Sequence, residues 1–245
     1  MRYTSITGWG KCLPPAVLAN ADLEQLTDTS DEWIITRTGI KERRISHVEV
    51  SDLGTVAGLR AVAAAGLEPT DIDFIITATC SPDRLIPSAA SVIQEKMGAV
   101  NAGAMDLNAA CSGWIYGLSV AHSMVASKAM DRVLIIGVEK LHFWLNFTDR
   151  STSVLFGDGA GAVLLEPSRR RAGVLAVELG SDGSVADILC VGGSGTEGEP
   201  GKAPPPWITM EGPEVFRRAV VAMGDASLRV VEEAGLKLED VDLLI

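Results

Sequence analysis

The sequence predicts a layered α/β protein whose strands alternate with helices. Three observations point there. Apolar runs of strand length are separated by segments of helical periodicity. Alanine, glycine, valine, leucine and isoleucine dominate while aromatics are only 5%, which suits small residues at helix–sheet contacts. With 47% hydrophobic residues in 245, the chain can bury a sizeable core.

The elements follow in order. Asn20 is expected to cap a short helix over 20–28, and Ser30 a second one through Asp31, Glu32 and Trp33 that Gly39 ends. Ser51 is expected to cap a helix over 52–65, with Leu53, Val56, Ala57, Ala61 and Ala64 on its apolar face and Gly66 after it. DFIITAT (73–79) reads as a buried strand, and Ser88 opens a helix that stops at Gly98. Ala104–Asn108 is extended, AACSG turns, and a helix runs on through Trp114, Leu118, Ala121 and Val125. RVLIIGVEK (132–140) is a strand apolar on both faces, and 153–166 reads as two strand-like runs around a glycine-rich bend. This alternation predicts parallel, helix-covered sheets. Residues 181–207 are loop-like, 213–234 helical, and VDLLI at 241–245 reads as an apolar strand inside a sheet.

One segment recurs. AAAGLEPTDIDFII (63–76) matches EEAGLKLEDVDLLI (232–245) without gaps at a constant offset of 169, pairing Gly66 with Gly235, Asp71 with Asp240 and Asp73 with Asp242. A common helix–turn–strand idiom would give such a match; so would internal duplication of a βαβ-type half.

Composition narrows the function classes. A net charge of −11 argues against nucleic-acid binding. Arg37, Lys41, Arg43 and Arg44 form a local basic cluster, either a solvated face or a surface for an anionic ligand. Cys12, Cys80, Cys111 and Cys190 are widely spaced without a CxxC pair, so zinc and redox motifs have no support and no metal is expected. The N-terminus lacks the apolar run of a signal peptide, and no stretch has about 18 consecutive apolar residues. These features predict a cytoplasmic protein with reduced thiols and no membrane partner.

Cys111 stands out. In NAACSG (108–113) it lies between a strand and a helix, where unpaired backbone N–H groups favour a thiolate and small neighbours admit a substrate. A buried, inert cysteine is the competing reading. GDGAGA (157–162) is glycine-rich but no GK[ST] follows, so it is not a Walker loop, and another kind of nucleotide-phosphate loop is the alternative to a structural role. His47, His122 and His142 read as structural or surface residues, His122 falling roughly 16 Å along the helix from Cys111 at 1.5 Å per residue.

TSDEWIITRTGIKERRI (29–45), DLNAACSGWIYGL (106–118), TDRSTSVLFGDGAGAVLLE (148–166) and the terminal AGLKLEDVDLLI resemble, in order and spacing, the motifs of the β-ketoacyl-acyl-carrier-protein synthase III family over essentially the whole chain. The resemblance implies a thiolase-like α/β fold: two βαβαβαββ halves in a five-layered αβαβα sandwich. Residues 1–170 would be the half carrying the nucleophilic cysteine, and 171–245 the start of a second, incomplete half. It implies an acyltransferase of fatty acid synthesis. An acyl group, acetyl expected, would pass from coenzyme A to Cys111 and condense with malonyl-acyl carrier protein, with loss of carbon dioxide. Coenzyme A thioester is then a substrate and no cofactor is implied, and GDGAGA (157–162) would be structural, letting backbone pass close beneath the active site. Trp33 would stack on the adenine, Arg37 and Arg150 would flank the nucleotide, and Thr29 would make a further contact. Met210, Gly212 and Phe216 would line the pantetheine channel, and Ile86 would plug the partner's acyl pocket in a homodimer. The basic cluster at 37–44 would meet the acidic carrier protein. A histidine in a PHQAN-type motif, an asparagine and a glycine-rich oxyanion segment belong beyond Ile245, so this stretch alone is expected not to condense. The segment EKLHFWLNF (139–147) is more aromatic than the family's and leaves the acyl donor open. A starter or tailoring acyltransferase of a polyketide pathway and a non-catalytic remnant are the alternatives.

Overall fold

The structure is a computed structural model that describes residues 2–193, 195–196, 202 and 205–245. In chain order its elements are β1 (Tyr3–Cys12), β2 (Ala16–Ala19), α1 (Asn20–Leu23), α2 (Asp31–Thr38), β3 (Glu42–Ile45), α3 (Val50–Ala64), β4 (Phe74–Ala78) and α4 (Ala89–Met97). Then come β5 (Gly103–Leu107), α5 (Gly113–Ala126), β6 (Val133–Lys140), α6 (Arg150–Ser153), β7 (Asp158–Ser168), β8 (Leu189–Val191), β9 (Ile208–Met210) and α7 (Gly212–Glu233). They group into two compact units. One comprises residues 1–18, 42–141 and 157–175; the other comprises 19–41, 142–156 and 176–245.

The first unit is built on a five-stranded sheet in the order β1-β7-β6-β4-β5. Strands β4, β5 and β6 are parallel, as the alternation predicts. The sheet is nevertheless mixed, because β7 runs antiparallel to both β6 and β1. GDGAGA is therefore not a bend between two strands. Asp158–Ala162 begins one long strand with a partner on each side. The stretch before it folds into the helical turn α6, whose Asp149 side chain accepts from Ser151 N–H at 2.8 Å.

The continuous apolar run of β6 is explained by burial on both faces. Leu134, Ile136 and Val138 join Leu53, Ala57 and Ala61 of α3 and Ile93 and Met97 of α4, while Val133 and Ile135 join Ala121 and Val125 of α5. The face α3 turns inward differs from the one periodicity predicts. Val56 and Ala64 are exposed, and Gly54 and Gly58 are buried in their stead. A Cβ on Gly54 would come within 2.6 Å of Ile93 Cδ1, so the missing side chains admit α4 at close range.

The capping expectations divide cleanly. Ser30 accepts from Trp33 N–H at 3.1 Å, Ser88 from Ser91 N–H at 3.2 Å, and Gly39 and Gly98 close their helices in the left-handed region at φ 72°. Asn20 and Ser51 are not caps, because tertiary partners claim their side chains. Asn20 Nδ2 donates to Asp31 Oδ1 at 2.7 Å and Ile40 O at 2.9 Å, and Ser51 Oγ accepts from Lys96 Nζ at 2.8 Å. The helices begin instead after Ala19 and Glu49, with Asp22 and Asp52 reaching back to those backbone N–H groups.

The second unit contains α1, α2, α6, the β8–β9 hairpin and α7. The recurring segment has one conformation in both places. Leu67 N–H bonds to Val62 O at 3.2 Å and Leu236 N–H to Val231 O at 3.0 Å; Gly66 and Gly235 have φ 73° and 69°. Asp71 and Asp240 each accept at 2.9 Å from the backbone N–H three residues earlier. The copies diverge next. Ile72 is fully buried and leads into β4, whereas 241–245 is exposed and pairs with no strand among the described residues, contrary to the strand expected there.

Candidate active site

Cys111 lies on a 3₁₀ turn, Ala110–Ser112, that joins β5 to α5 at the carboxyl edge of the parallel strands. Asn108 Oδ1 accepts from Ala110 N–H at 3.2 Å, and Ser112 N–H bonds to Ala109 O at 3.1 Å. Ala110 is held at φ 46°, a left-handed conformation an L-residue adopts at a cost, so the surroundings over-determine this turn. The small residues after it have a packing reason. Gly113, Gly117 and Ala121 are buried one turn apart; a Cβ on Gly113 would meet Ala78 Cβ at 3.4 Å, and one on Gly117 would meet Ile135 Cγ2 at 3.2 Å. The helix thus lies close on the sheet, its first N–H groups just beyond Cys111. Of the four cysteines Cys111 is the exposed one.

At the same edge of the sheet is a carboxylate that sequence reasoning missed. Glu139, near the end of β6, accepts from Cys80 N–H at 2.8 Å, from Thr79 Oγ1 at 3.4 Å and from Ser81 Oγ. Ser81 N–H in turn donates to Thr79 Oγ1 at 3.1 Å, and Ser81 Oγ accepts from Lys140 N–H at 2.9 Å. Burial pushes the Cys80 thiol up to about 12, helped by the charge of Glu139, by its hydrogen bond to that carboxylate and by the nearby Cys111. The sequence signal was available: a charged residue ending a run of buried strand residues marks the carboxyl edge, where α/β sheets place their sites.

The same loop carries Ile86. Asp83 accepts from Ser51 N–H at 3.2 Å, and Asp106 accepts from Ala89 and Ala90 N–H, both at 2.7 Å. Between these anchors Leu85 and Ile86 are 86% and 82% exposed, ahead of a cis Pro87.

The remaining expected site residues lie in the second unit. Trp33 is flanked by two guanidinium groups, Arg150 at 4.8 Å and Arg37 at 5.9 Å from the ring centre. Arg150 also donates to Asp28 O at 3.0 Å, and Thr27 Oγ1 to Thr148 O at 3.2 Å, tying the two segments together. Thr29 Oγ1 is buried without a hydrogen-bond partner among the described residues. Met210 ends β9, which packs against α6, and a Cβ on Gly212 would be 3.4 Å from Met210 Cε. Phe216, one turn into α7, is 72% exposed.

The basic cluster does not form a single patch. Arg43 is 3% exposed, and its burial lowers its pKa; Arg44 pairs with Glu42 at 3.0 Å; Arg37 sits against Trp33. Alternation along β3 sends Arg43 inward, which a run of basic letters cannot reveal. Of the histidines, His122 is hydrogen-bonded to Thr4 Oγ1 at 3.0 Å and has its pKa lowered by burial, while His47 is exposed. Gly157 has the close approach expected of it, a Cβ there meeting Arg43 Cβ at 3.1 Å; Gly161 has open space. Among the described residues no group of three or more His, Cys, Asp or Glu side chains could hold a metal ion, and no helix is long and apolar enough to cross a membrane.

Comparison with known proteins agrees with this architecture. The family model of 3-oxoacyl-[acyl-carrier-protein (ACP)] synthase III matches residues 105–183, which hold both Cys111 and Glu139. A β-ketoacyl-[acyl-carrier-protein] synthase III 2 of Vibrio cholerae is 49% identical over 245 residues, covering 99% of this chain and 68% of that protein. The crystal structure of a 3-oxoacyl-[acyl-carrier-protein] synthase III from Aquifex aeolicus superposes with TM-score 0.91 at 42% identity, covering 98% of this chain and 75% of that one. The priming β-ketosynthase of the R1128 polyketide biosynthetic pathway superposes equally well, TM-score 0.91, at 33% identity, with 98% and 72% covered. The class is therefore an acyltransferase with a thiolase-like α/β fold. The chain belongs to the β-ketoacyl-[acyl-carrier-protein] synthase III family.

Proposed function

We propose that Cys111 is the nucleophile of an acyl transfer that starts fatty acid synthesis. The thiolate attacks the carbonyl of an acyl-coenzyme A thioester, the coenzyme A thiolate leaves, and an acyl-Cys111 thioester remains. Malonyl on acyl carrier protein then loses carbon dioxide. The resulting enolate carbon attacks the acyl group, releasing 3-oxoacyl-acyl carrier protein and the Cys111 thiolate. The observation that carries this reading is the presentation of Cys111: exposed, on a strained turn, ahead of a helix N-terminus at the sheet's carboxyl edge.

Coenzyme A is the donor, acetyl-CoA the expected thioester. Trp33 offers its ring to the adenine, with Arg37 and Arg150 available to the phosphates and the Thr29 hydroxyl to a polar contact. Met210, Gly212 and Phe216 serve the pantetheine arm. Leu85 and Ile86, apolar and exposed on an anchored loop, meet a second copy in a cytoplasmic homodimer. The likeness to a polyketide priming enzyme keeps a polyketide starter as the second reading, which a panel of acyl-CoA donors separates by preference.

The test is brief exposure to radiolabelled acetyl-CoA, followed by peptide mapping. Label on the peptide bearing Cys111, and none after Cys111→Ala, is expected. Label spread evenly over Cys12, Cys80, Cys111 and Cys190 removes the assignment.

A further inference from the structure

Cys80 is a second thiol at the same edge, and acyl transfer has no use for it. It follows β4, whose last residue Ala78 is paired in parallel register with Leu107 of β5, and the ladder continues through Thr79 N–H to Leu107 O at 3.2 Å. Cys111 follows β5, and its turn curls back so that Gly113 packs over Ala78. The two cysteines thus follow the carboxyl ends of paired neighbouring strands, whose backbones lie about 4.8 Å apart. Charge on Cys111 also contributes to the raised pKa of Cys80, after burial and Glu139, so the two groups lie within electrostatic reach of one another.

We propose that Cys80 is a resolving cysteine: hydrogen peroxide oxidises Cys111 and Cys80 closes a reversible disulfide with it. The inference rests on the reading of Cys111 as the reactive thiolate. In the first step the Cys111 thiolate attacks one peroxide oxygen, giving Cys111 sulfenic acid and, with a proton, water. In the second the Cys80 sulfur attacks Cys111 Sγ. The S–S bond forms, and the sulfenic hydroxyl leaves with the Cys80 proton as water. Two thiols and one peroxide give one disulfide and two waters.

The placement of Glu139 suits this role. Its carboxylate faces Cys80 and holds the loop by three hydrogen bonds, so the thiol is positioned before the reaction. Burial, with Glu139 second, keeps Cys80 protonated, so that Cys80 competes neither for acyl groups nor for peroxide, and acts only when a sulfenic acid forms on Cys111. The device protects a catalytic thiol from irreversible sulfinic acid.

The test compares the wild-type protein with Cys80→Ser, a near-isosteric change that keeps a hydrogen bond to Glu139. Both are treated with a small excess of hydrogen peroxide and digested without reduction. The wild type is expected to yield a Cys80–Cys111 linked peptide lacking both thiol hydrogens, and dithiothreitol is expected to restore iodoacetamide labelling of Cys111. Cys80→Ser is expected to accumulate sulfinic acid at Cys111, with labelling permanently lost. Equal sulfinic acid in both proteins, or a disulfide that uses Cys12 or Cys190, overturns the proposal. Acyl loading is measured on untreated protein. Loading without a linked peptide overturns this inference alone, and a linked peptide without loading overturns the role of Cys111 in acyl transfer.

Discussion

Cys80 makes stability depend on pH in the alkaline range, and Cys80→Ser removes that dependence. Its thiol titrates near 9.0 when unfolded and is pushed up to about 12 in the folded protein, by burial first and then by the Glu139 charge. Below pH 9 both states hold the proton and the group is neutral in the balance. Above it the unfolded state releases the proton while the folded state retains it, so stability falls as pH rises, until both are deprotonated above 12. At pH 10.5 the gap of 1.5 pH units from 9.0 corresponds to about 2 kcal/mol at 1.36 kcal/mol per unit. Cys80 is only partly buried, and solvent screening reduces this to about 1 kcal/mol. Urea unfolding of both proteins at pH 8, 9.5 and 10.5 cancels every other titrating group. The wild type should lose about 1 kcal/mol relative to the variant between the first and last pH. A difference that stays constant over this range would show that the Cys80 proton is not held by the fold.

Three further outcomes are expected. Trp33→Ala should weaken coenzyme A binding by about 1–2 kcal/mol by calorimetry, the scale of one aromatic stack, and leave small-reagent labelling of Cys111 nearly unchanged. Gly8→Ala should cost about 3 kcal/mol in urea unfolding, because the added Cβ would lie 2.0 Å from Ala61 O of α3 and both elements must shift; an unchanged midpoint contradicts the tight β1–α3 contact. Ile86→Asp places a charge on the exposed loop tip and should move micromolar protein from dimer to monomer by sedimentation velocity; a dimer that survives puts the interface elsewhere.

Much of the fold was legible because its signals are local. Ser30 with Gly39 and Ser88 with Gly98 bound their helices through hydrogen bonds spanning three or four residues, so nearby letters suffice. The recurring segment at offset 169 was equally legible, and its two copies share hydrogen bonds and glycine conformation since both are set inside a dozen residues. The position of Cys111 between strand and helix was readable for the same reason.

Tertiary structure decided what depends on partners far away in the chain. Asn20 and Ser51 look like caps until Asp31, Ile40 and Lys96 claim their side chains. The antiparallel course of β7 follows from having β1 on one side and β6 on the other, and no local pattern encodes a neighbour's direction. Arg43 reads as one of four surface cations and is buried, because β3 alternates faces. Glu139 reaches Thr79, Cys80 and Ser81 across 58 to 60 residues, so its carboxylate and the reactive edge meet only once parallel strands bring them into register. Periodicity and caps report the backbone's nearest hydrogen bonds, whereas burial and charge pairing are properties of the packed sheet.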